Sequence, residues 1–450
     1  MVLVETSSGI RGLYGEELSL EVAERYSKAF ENFLVEKNLN SKIVIGRDTR
    51  ESGESLFNAF IKNLNIEVIN VGVLPTPVIQ NAVRAFGADG GVIISGSHLE
   101  PKYNGMKLLH RDGAHLRPKD MEKVIKSSKI QRTGGIGNPK IQKLQKEALQ
   151  HYIEFVKEII GEIDFAKINF VLDPNGGAGV FSKPVLESFG VDAYYINMEQ
   201  GVFNRIIEPG IGNALGSLQK EIKKHDSDFA AGFDCDADRV EILLKDGSLM
   251  GGNEILGIIT EDILSKHNGK PVVVNDATSY VVKEIANKYN SNFIEVEVGE
   301  TNVVEEMKRV GSLVGGEGSN GGVIVGNSKC RDGILGVLYL LKILIKHKTN
   351  LNSLINKLPK YYYLKYKFKL NKDFSLIRKE LIEYYLEKGF EVMMTGDSSG
   401  GLKFLKNQSW VWFRQSKTED KMIRIVTNSK DEEIAENLLK EARILLQQAF

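Results

Sequence analysis

Three aspartates occupy alternate positions in the segment FDCDADR, at Asp234, Asp236 and Asp238. They directly follow the apolar run FAAGF, whose composition is typical of a buried strand. Three carboxylates this close repel one another unless a cation lies among them, and oxygen ligands of this kind suit Mg²⁺ or Ca²⁺. An EF-hand is excluded, because Arg239 and Lys245 stand where that loop requires Gly and Glu. The segment therefore predicts a metal site, although an ordinary acidic turn has the same composition.

A serine and an arginine extend this chemistry. Ser97 follows the β-branched run at 92–94, so it lies at the carboxyl end of a predicted strand, where open α/β sheets bind their ligands. It is either a nucleophile or a turn serine. Arg239 directly follows the three aspartates. A guanidinium beside a metal ion suits an anionic ligand such as a phosphate.

The Gly-rich segment GGEGSNGG at 315–322 has the properties of a sugar-binding loop. It lacks the Lys followed by Ser or Thr that a P-loop requires, and Glu317 and Ser319 carry its hydrogen-bonding side chains. A carboxylate accepts hydrogen bonds from sugar hydroxyls, whereas it repels phosphates. A plain turn is the alternative interpretation.

Two other loops carry clustered cations. Arg47 and Arg50 follow a predicted strand in GRDTRESG, where they are either catalytic-site cations or members of a salt-bridged loop that opens a helix. A later loop between two predicted strands combines cations with hydroxyls, which suits a phosphate, although an ordinary hairpin loop is the alternative. The phosphate-type residues are Arg414, Ser416, Lys417 and Thr418.

The composition excludes several classes of protein. Among 450 residues, Lys+Arg and Asp+Glu both number 59, so no basic field exists to bind nucleic acid or an anionic membrane. The two cysteines, Cys235 and Cys330, are too few for a disulfide framework and favour a reducing cytosol. The N-terminal residues lack a signal-peptide pattern, and the apolar run at 334–345 is too short to span a bilayer, which predicts a core helix and a cytoplasmic protein.

Strand-like runs alternate with helical periods along most of the chain, and this alternation restarts near residues 168, 229 and 270. Such alternation is typical of parallel α/β layers. After residue 360 the pattern changes to alternating strands with two helical stretches, which indicates a separate α+β domain. We therefore predict an α/β protein with domains at 1–150, 151–252, 253–360 and 361–450.

Taken in order, the motifs of this chain resemble the α-D-phosphohexomutase superfamily, which includes phosphomannomutase/phosphoglucomutase and phosphoglucosamine mutase. The resemblance covers the whole chain, and its segments are SSGIRG, GRDTR, SGSH with YNGMK, DCDADR, GGEGS, CRDG and RQSKTE. It implies a four-domain architecture around a central cleft, with three similar α/β/α domains and a smaller α+β domain at the C-terminus. In that scheme the four predicted domains carry, in order, the phosphoserine, the metal, the sugar and the phosphate.

The resemblance also implies a role for each candidate residue. Ser97 would be carried as a phosphoserine and would hold Mg²⁺ together with Asp234, Asp236 and Asp238. Arg239 would bind the transferring phosphoryl group. The other proposed groups are Lys107, Arg11 and His98 for proton transfer and charge stabilisation, Glu317 and Ser319 for the sugar, and Arg414, Ser416, Lys417 and Thr418 for the non-reacting phosphate.

The activity implied is interconversion of hexose 1-phosphate and hexose 6-phosphate, with mannose or glucose as the hexose, through a hexose 1,6-bisphosphate intermediate. We expect Lys107 to transfer the proton, with its pKa lowered by desolvation and neighbouring cations. The expected partner is a phosphorylated hexose, with no nucleic acid and no membrane, and the chain would be a monomer or homodimer. The alternatives are a phosphoglucosamine mutase, a haloacid-dehalogenase-type phosphatase with a phosphorylated aspartate, and a non-catalytic phosphosugar-binding protein.

This chain departs from the family pattern at four places. The usual Thr-Ala-Ser-His-Asn-Pro becomes residues 95–100, SGSHLE, and the usual Asp-Gly-Asp-Gly-Asp carries Cys235 and Ala237 in place of its glycines. Asn320 extends the sugar loop, and residues 417–420 read KTED instead of Gly-Thr-Glu-Pro. These changes leave the predicted reaction class intact and affect the expected choice of substrate.

Overall fold

The computed structural model describes residues 3–39, 41–130, 137–165, 168–210, 212–370, 374–397, 399–416 and 421–448. The chain forms two compact units, each built from two stretches of sequence. The first contains Met1–Gly252 and Asn320–Leu351, and the second contains Asn253–Ser319 and Asn352–Phe450. Helices and several sheets alternate in both, which confirms the predicted mixed α/β class. The four predicted domain boundaries stay a prediction.

The N-terminal stretch forms a seven-stranded sheet with helices packed against it. Its strands are β1 (Val4–Thr6), β2 (Gly9–Leu13), β3 (Lys42–Arg47), β4 (Glu67–Val73), β5 (Gly90–Ile94), β6 (Tyr103–His110) and β7 (Ile141–Lys143). Its helices are α1 (Leu20–Glu36), α2 (Ser52–Ile61), α3 (Thr76–Ala85), α4 (Pro118–Ile130) and α5 (Gln145–Ile160). The order is β1-β2-β6-β5-β3-β4-β7, and β5 pairs with β3 in parallel and with β6 antiparallel. Because β5 is central, all its side chains are buried, as its β-branched run predicts.

A second sheet of the first unit carries the aspartates. Its strands are β8 (Phe170–Asp173), β9 (Tyr194–Tyr195), β10 (Phe229–Phe233), β11 (Val240–Leu244) and β12 (Leu249–Met250), with helices α6 (Ser182–Glu187) and α7 (Gln219–Lys224). The strands lie in the order β12-β11-β10-β8-β9. Phe233 of β10 pairs with Val240 of β11 in an antiparallel ladder. Residues 234–239 therefore form the loop of a tight hairpin, which brings the three carboxylates together.

The second unit contains a smaller parallel sheet. In chain order the elements between residues 252 and 355 are α8 (Gly252–Lys266), β13 (Val272–Asn275), α9 (Tyr280–Lys288), β14 (Phe293–Val296), α10 (Glu300–Val310), β15 (Val314–Glu317), β16 (Gly322–Val325), α11 (Gly333–His347) and α12 (Leu351–Ile355), and those from β13 to β15 belong to the second unit. β13 lies between β14 and β15 and is parallel to both. The carboxyl ends of β13 and β15 therefore meet at one edge of the sheet, where Asn275 and Glu317 end their strands.

Strand β16 and helix α11 belong to the first unit, in which α11 packs against α5 and β11. The apolar run at 334–345 lies within α11, and its aliphatic side chains are buried except that of Ile345, which is half-buried, so the predicted core helix is confirmed. None of the helices in the described ranges is long and apolar enough to cross a lipid bilayer.

The C-terminal stretch of the second unit forms an antiparallel sheet covered by two helices. Its elements are β17 (Tyr362–Lys369), α13 (Phe374–Glu387), β18 (Glu391–Met394), β19 (Leu402–Lys406), β20 (Ser409–Gln415), β21 (Met422–Ser429) and α14 (Glu432–Gln448). The strand order is β17-β21-β20-β19-β18. Tyr385 of α13 stacks on Phe404 of β19 in the core, with ring centroids 4.3 Å apart. Arg414 lies near the end of β20.

Candidate active site

Ser97 lies in a tight loop directly after β5. Its φ of 49° is in the left-handed region, which is unfavourable for a residue with a side chain. Its backbone N–H donates to the Ser95 hydroxyl at 2.8 Å, and that hydroxyl donates to Asp48 at 2.7 Å. Strained backbone of this kind persists only where surrounding contacts hold it in place. The serine is therefore fixed in one orientation.

Arg50 supplies most of those contacts. Its guanidinium is fully buried, pairs with Asp48 at 3.0 Å and donates to a ring of backbone carbonyls in the serine loop. The acceptors are the carbonyls of Ser97 at 2.8 Å, Leu99 at 2.6 Å, Glu100 at 2.6 Å and Tyr103 at 2.9 Å. Arg47 instead pairs with Glu54 on an exposed surface. Of the two arginines in GRDTR, Arg50 positions the serine loop, and Arg47 belongs to a salt-bridged helix start.

The aspartate loop lies directly against Ser97. The Ser97 Oγ atom is 3.4 Å from Asp234 Oδ2 and 3.4 Å from Arg239 Nη2. Asp234, Asp236 and Asp238 are all buried, and each offers an oxygen within 4.8 Å of the other two. Ala237 in this loop has a φ of 54°, a conformation that glycine adopts without cost. The structure thus brings the predicted nucleophile, the three carboxylates and Arg239 together.

The three carboxylates fit a hard divalent cation. Asp236 Oδ1 and Asp238 Oδ1 are buried and accept no hydrogen bond from any described residue, although Arg239 Nε lies 3.4 Å from Asp238 Oδ1 in an ion pair. Leaving a charged oxygen buried without a hydrogen bond is costly, and a cation ligand would contact both atoms. Oxygen donors only, with no sulfur or imidazole among them, suit Mg²⁺ or Ca²⁺ better than zinc.

Lys107 contacts this group of carboxylates from β6. Its ammonium is buried, lies 2.5 Å from Asp236 Oδ2 and 3.8 Å from Asp238 Oδ2. Burial alone would lower the pKa of Lys107, but the charges of the two aspartates outweigh burial and the pKa is raised. The expected lowered pKa is therefore wrong for this arrangement, because the neighbouring charges are mainly acidic. Thr76, at the start of α3, also donates to Asp236 Oδ2, at 2.6 Å.

Two more arginines, Arg11 and Arg331, add positive charge beside the three carboxylates. Arg11 lies on β2, and its Nε atom is buried without a hydrogen-bond partner among the described residues. Burial lowers the pKa of Arg11 to about 10, with opposing effects from Asp236 and Arg239. Arg331 follows β16, and its Nη2 atom lies 2.5 Å from Asp238 Oδ2. Arg11 interacts electrostatically with Asp236 and Asp238, and Arg331 adds a cation that the sequence indicated only as part of CRDG.

Arg239 is held by several partners at once. Its Nε donates to Asp234 at 3.0 Å, and its Nη1 donates to Glu208 at 3.1 Å. The Nη2 atom lies 2.5 Å from His98 Nδ1, so His98 stands beside Ser97 and Arg239. The guanidinium therefore has a fixed orientation toward Ser97 Oγ, as binding of a phosphoryl group requires.

The carboxylates differ in their protonation behaviour because their surroundings differ. Burial raises the pKa of Asp234 well above its usual value, and the charge of Asp238 adds to this effect. Burial acts in the same direction on Asp238, but Arg331, together with Lys107 and Arg239, outweighs it and lowers the pKa. Neighbouring cations therefore favour the ionised form of Asp238, whereas burial disfavours the ionised form of Asp234.

In the second unit, Glu317 and Ser319 are joined by one side chain that the sequence had not indicated. The Nδ2 atom of Asn275, at the end of β13, donates to Ser319 Oγ at 2.9 Å and approaches Glu317 Oε1 at 3.3 Å. Glu317 is buried and also accepts from the backbone N–H of Gly299 at 2.8 Å. The two predicted sugar-binding residues therefore lie together at the carboxyl edge of the parallel sheet.

Arg414 lies beside the segment that also contacts Glu317. Its Nη2 atom is 3.1 Å from Glu297 Oε1, and its Nε atom is buried without a partner in the described part of the chain. Ser416 directly follows the last residue of β20, and its backbone N–H donates to the Met422 carbonyl of β21 at 2.7 Å. The predicted residues Lys417 and Thr418 lie outside the described residues.

Sequence reasoning missed several residues that hold these groups. Apart from CRDG, which contains Arg331, their own segments carry no distinguishing pattern, because each is a single polar residue in an ordinary loop or at the end of an ordinary element. Their importance follows from contacts with residues distant in sequence. The missed residues are Thr76, Glu208, Asn275, Glu297 and Arg331.

Comparison with known families agrees with this geometry. Residues 3–133 match the family model described as phosphoglucomutase/phosphomannomutase, alpha/beta/alpha domain I. Residues 251–362 match the model described as domain III of the same family. The first match includes Ser97, His98, Lys107 and Arg11, and the second includes Glu317 and Ser319.

Similar proteins extend the comparison to the whole chain. A phosphoglucomutase/phosphomannomutase of Thermococcus kodakarensis is 32% identical over 98% of this chain and 98% of its own length. A phosphoglucosamine/phosphogalactosamine mutase of Sulfurisphaera tokodaii is 27% identical, also over 98% of both chains. The crystal structure of a phosphoglucomutase/phosphomannomutase family protein from Burkholderia thailandensis has a TM-score of 0.83 and 21% identity, covering 100% of this chain and 98% of that one. The chain therefore belongs to the phosphoglucomutase/phosphomannomutase family of the α-D-phosphohexomutase superfamily, and it is an isomerase.

Proposed function

We propose that the chain interconverts hexose 1-phosphate and hexose 6-phosphate, with Ser97 as the phosphorylated residue. The observation that carries this proposal is the position of Ser97 Oγ, 3.4 Å from both Asp234 and Arg239 in a buried group of carboxylates and cations. An ordinary turn serine needs no such surroundings. Phosphoryl transfer, in contrast, depends on positioning and on stabilising charge, which these residues supply.

In the forward half-reaction the bond between phosphorus and Ser97 Oγ breaks, and a bond to the free sugar hydroxyl forms. The product is a hexose 1,6-bisphosphate, and in the second half-reaction its other phosphate returns to Ser97. Arg239 binds the transferring group in both directions, with Arg11 and His98 stabilising its charge. Between the two half-reactions the bisphosphate must reverse its orientation in the site, so that its other phosphate faces Ser97.

Lys107 is the proposed group for proton transfer, because it contacts the carboxylates beside Ser97 and is buried. Its ion pair with Asp236 favours the ammonium form, which can donate a proton to a sugar oxygen. To accept a proton from a sugar hydroxyl, Lys107 must first separate from Asp236 and release its own proton. Asp234, Asp236 and Asp238, with a phosphoserine oxygen, would hold Mg²⁺. Bound there, Mg²⁺ would neutralise charge on the phosphoryl group that moves.

Glu317 and Ser319 are the proposed acceptors for sugar hydroxyls, and Arg414, Ser416, Lys417 and Thr418 are the proposed contacts of the non-reacting phosphate. We assign mannose and glucose phosphates as substrates, following the name of the Thermococcus relative. Glucosamine phosphate is the alternative, because the Sulfurisphaera relative is named for amino sugars. Hexose 1,6-bisphosphate is the proposed activator. We also propose a monomer or homodimer in the cytoplasm. Cys235 and Cys330 are buried and form no disulfide bond with each other, which agrees with a reducing compartment.

Replacement of the serine tests the proposal. Ser97→Ala should lose almost all mutase activity on glucose 1-phosphate, mannose 1-phosphate and glucosamine 1-phosphate, assayed with glucose 1,6-bisphosphate. Intact-mass spectrometry should find one phosphoryl group on the wild-type chain and none on the variant. Ser55→Ala is the matched control, because Ser55 is an exposed serine of α2.

Two results would contradict the proposal. If Ser97→Ala keeps activity within about tenfold of the wild type, Ser97 is not the residue that carries the phosphate. If the wild type binds the sugar phosphates but does not convert any of them, the protein is a phosphosugar-binding protein without turnover.

A further inference from the structure

The second unit contains a large open cavity that the proposed function does not use. Its volume is about 660 Å³, which is within the size range of small-molecule sites. Helix α9, the residues just before β17, and the turn between β19 and β20 form its walls. Glu317, Ser319 and Arg414 are absent from its lining.

The cavity is distant from the proposed phosphate-binding residue of the same unit. The turn residues Asn407 and Gln408 line the cavity at one end of β20, and Arg414 lies at the other end. At roughly 3.4 Å per residue, the strand separates them by about 20 Å. The cavity is therefore a separate site and not an extension of the substrate-binding loops.

The charge of the lining favours an anion. Four lysines and two glutamates line the cavity, and Lys430 pairs with one of those glutamates, Glu284. Lys283 and Lys406 form no ion pair in the described part of the chain, so no carboxylate neutralises their charges. The Lys406 ammonium also donates to the Lys388 carbonyl at 2.6 Å, which fixes its position at the cavity. Glu391 is the remaining carboxylate, and the lining as a whole keeps a positive excess.

The Lys283 ammonium has a defined position. It lies 4.2 Å from the ring centroid of Tyr280, and the buried ammonium of Lys403 lies 4.7 Å from the same ring. The Tyr280 side chain is only 3% exposed, and its hydroxyl has no hydrogen-bond partner among the described residues. A buried hydroxyl without a partner is costly, and Tyr280 is one of the residues that line the cavity.

The remaining lining residues suit a flat ring with polar edges. Tyr361 and Leu405 provide apolar surface, and the side chains of Asn287, Asn407 and Gln408 provide amide donors and acceptors. The Tyr361 ring is held in place, because its hydroxyl donates to Glu284 at 2.9 Å. A free sugar phosphate has no flat apolar face, whereas a nucleotide combines such a face with a phosphate.

We propose that this cavity binds a nucleotide, with its phosphate at Lys283 and Lys406 and its base against Tyr361 and Leu405. A ligand here would contact both sheets of the second unit, since α9 follows β13 of one sheet and the turn joins β19 to β20 of the other. This proposal concerns binding alone and does not depend on mutase activity.

Titration of the full-length protein with uridine 5′-monophosphate, followed by calorimetry, tests the site. We expect a dissociation constant below about 1 mM, and we expect uridine and inorganic phosphate to bind at least about tenfold more weakly. Lys283→Ala and Lys406→Ala should each weaken binding about tenfold, which is the loss expected for one charged hydrogen bond. Circular dichroism and thermal melts would verify that the variants are folded.

Lys379→Ala is the matched control, because Lys379 is an exposed lysine of α13 outside the cavity lining, and it should bind like the wild type. The proposal would be overturned if no binding were detected at a uridine monophosphate concentration ten times the expected dissociation constant. It would also be overturned if Lys283→Ala and Lys406→Ala both bound as tightly as the wild type. Displacement of uridine monophosphate by glucose 1-phosphate would also overturn it, because the nucleotide would then occupy the substrate site. If inorganic phosphate bound as tightly as uridine monophosphate, the cavity would be a simple anion site, and the nucleotide proposal would be overturned.

Discussion

At the scale of single residues, Arg50 shows how a buried cation fixes a reactive loop. It donates to four carbonyls around Ser97, and Lys cannot reproduce this fork of donors. Gly96 leaves room for it, since a methyl group at that position would lie 2.7 Å from the Arg50 guanidinium carbon. The left-handed backbone of Ser97 is therefore maintained by a residue that itself performs no chemistry.

The first prediction follows from this role. Arg50→Lys should lower turnover by about tenfold or more while leaving KM little changed, because the loop loses carbonyl contacts and Ser97 loses its fixed orientation. Amide hydrogen exchange of residues 95–103 should become faster in the variant. Arg47→Lys is the matched control and should change neither measurement. Unchanged exchange in Arg50→Lys would contradict a positioning role.

The second prediction concerns Asp236, which binds Lys107 and Thr76 through one oxygen and leaves the other unpaired. Asp236→Asn should raise the Mg²⁺ concentration needed for activity and lower turnover by about 100-fold or more, because an amide is a weaker ligand for a hard cation. Activity measured across a Mg²⁺ titration after chelator treatment tests this expectation. Asp246→Asn, in an exposed turn, serves as the control. Full wild-type activity in excess chelator would be incompatible with a metal site.

The site residues that could be predicted are those whose adjacent sequence forms a recognisable pattern. Ser97 follows a β-branched strand, and the aspartates follow one another in a single loop. Thr76 escaped prediction as a site component because its partner Asp236 is 160 residues away. Arg50 and Arg331 appeared only as members of the segments GRDTR and CRDG, and their contacts could not be predicted because the partners are 47 and 93 residues away. The predicted lowering of the Lys107 pKa was wrong for the same reason, since the shift depends on which charged groups the fold places near the ammonium.

At the scale of elements, α11 depends on a buried acid at its start. Asp332 is the N-cap of this helix, accepts from the Leu335 N–H at 2.9 Å and accepts from the Tyr152 hydroxyl of α5 at 2.8 Å. Despite these hydrogen bonds, burial raises the pKa of Asp332 to about 6. The cap therefore joins two helices through a carboxyl group whose charged form is disfavoured by its surroundings.

The third prediction uses this cap. A folded-state pKa above the unfolded value means that Asp332 contributes stability fully below about pH 4 and that this contribution is lost as the pH rises through about 6. Asp332→Asn keeps an oxygen acceptor and removes the titration. Relative to the wild type, its thermal midpoint should therefore improve between pH 4.5 and 7.5. Asp228→Asn, at an exposed position, should show no such trend, and a constant difference between Asp332→Asn and wild type would refute the assignment.

The alternation of strands and helices was predictable from periodicity, and the sheets follow it. Strand β5 is an example, because its continuous apolar run is what burial on both faces requires. The pairing of strands was not predictable in the same way. In the first sheet β5 lies between β3 and β6, and this order depends on long-range packing that no local pattern records.

At the scale of the whole molecule, the second unit joins its two proposed substrate loops through one short segment. Arg414 contacts Glu297 and the Val298 carbonyl, and Glu317 accepts from the N–H of Gly299. The two loops come from different sheets and are far apart in sequence. Their placement relative to each other is therefore set by residues 297–299.

The fourth prediction separates what the two loops recognise. Arg414→Ala should lower kcat/KM by about tenfold to a hundredfold on every sugar phosphate, because a lost charged hydrogen bond is worth roughly 1.5 to 3 kcal/mol. Glu317→Gln should weaken all substrates and change the ratio between glucosamine phosphate and the neutral sugars, since a carboxylate attracts the 2-ammonium group. Kinetics of both variants on the 1-phosphates of glucose, mannose and glucosamine test the pair.

Arg424→Ala, one strand away on β21, controls for general damage to the sheet. A strongly substrate-selective Arg414→Ala together with a silent Glu317→Gln would show that the two loops are assigned the wrong way round.

The interruption of the first unit by residues 253–319 has a consequence for biosynthesis. Arg331 pairs with Asp238, and the Gly333 N–H donates to the Ala237 carbonyl, so residues far downstream complete the aspartate loop. A ribosome releases residues 234–239 well before Arg331 emerges, and until then the nascent chain holds three adjacent carboxylates without one of their balancing cations. The hairpin between β10 and β11 therefore reaches its native charge balance only after an entire intervening segment has been translated.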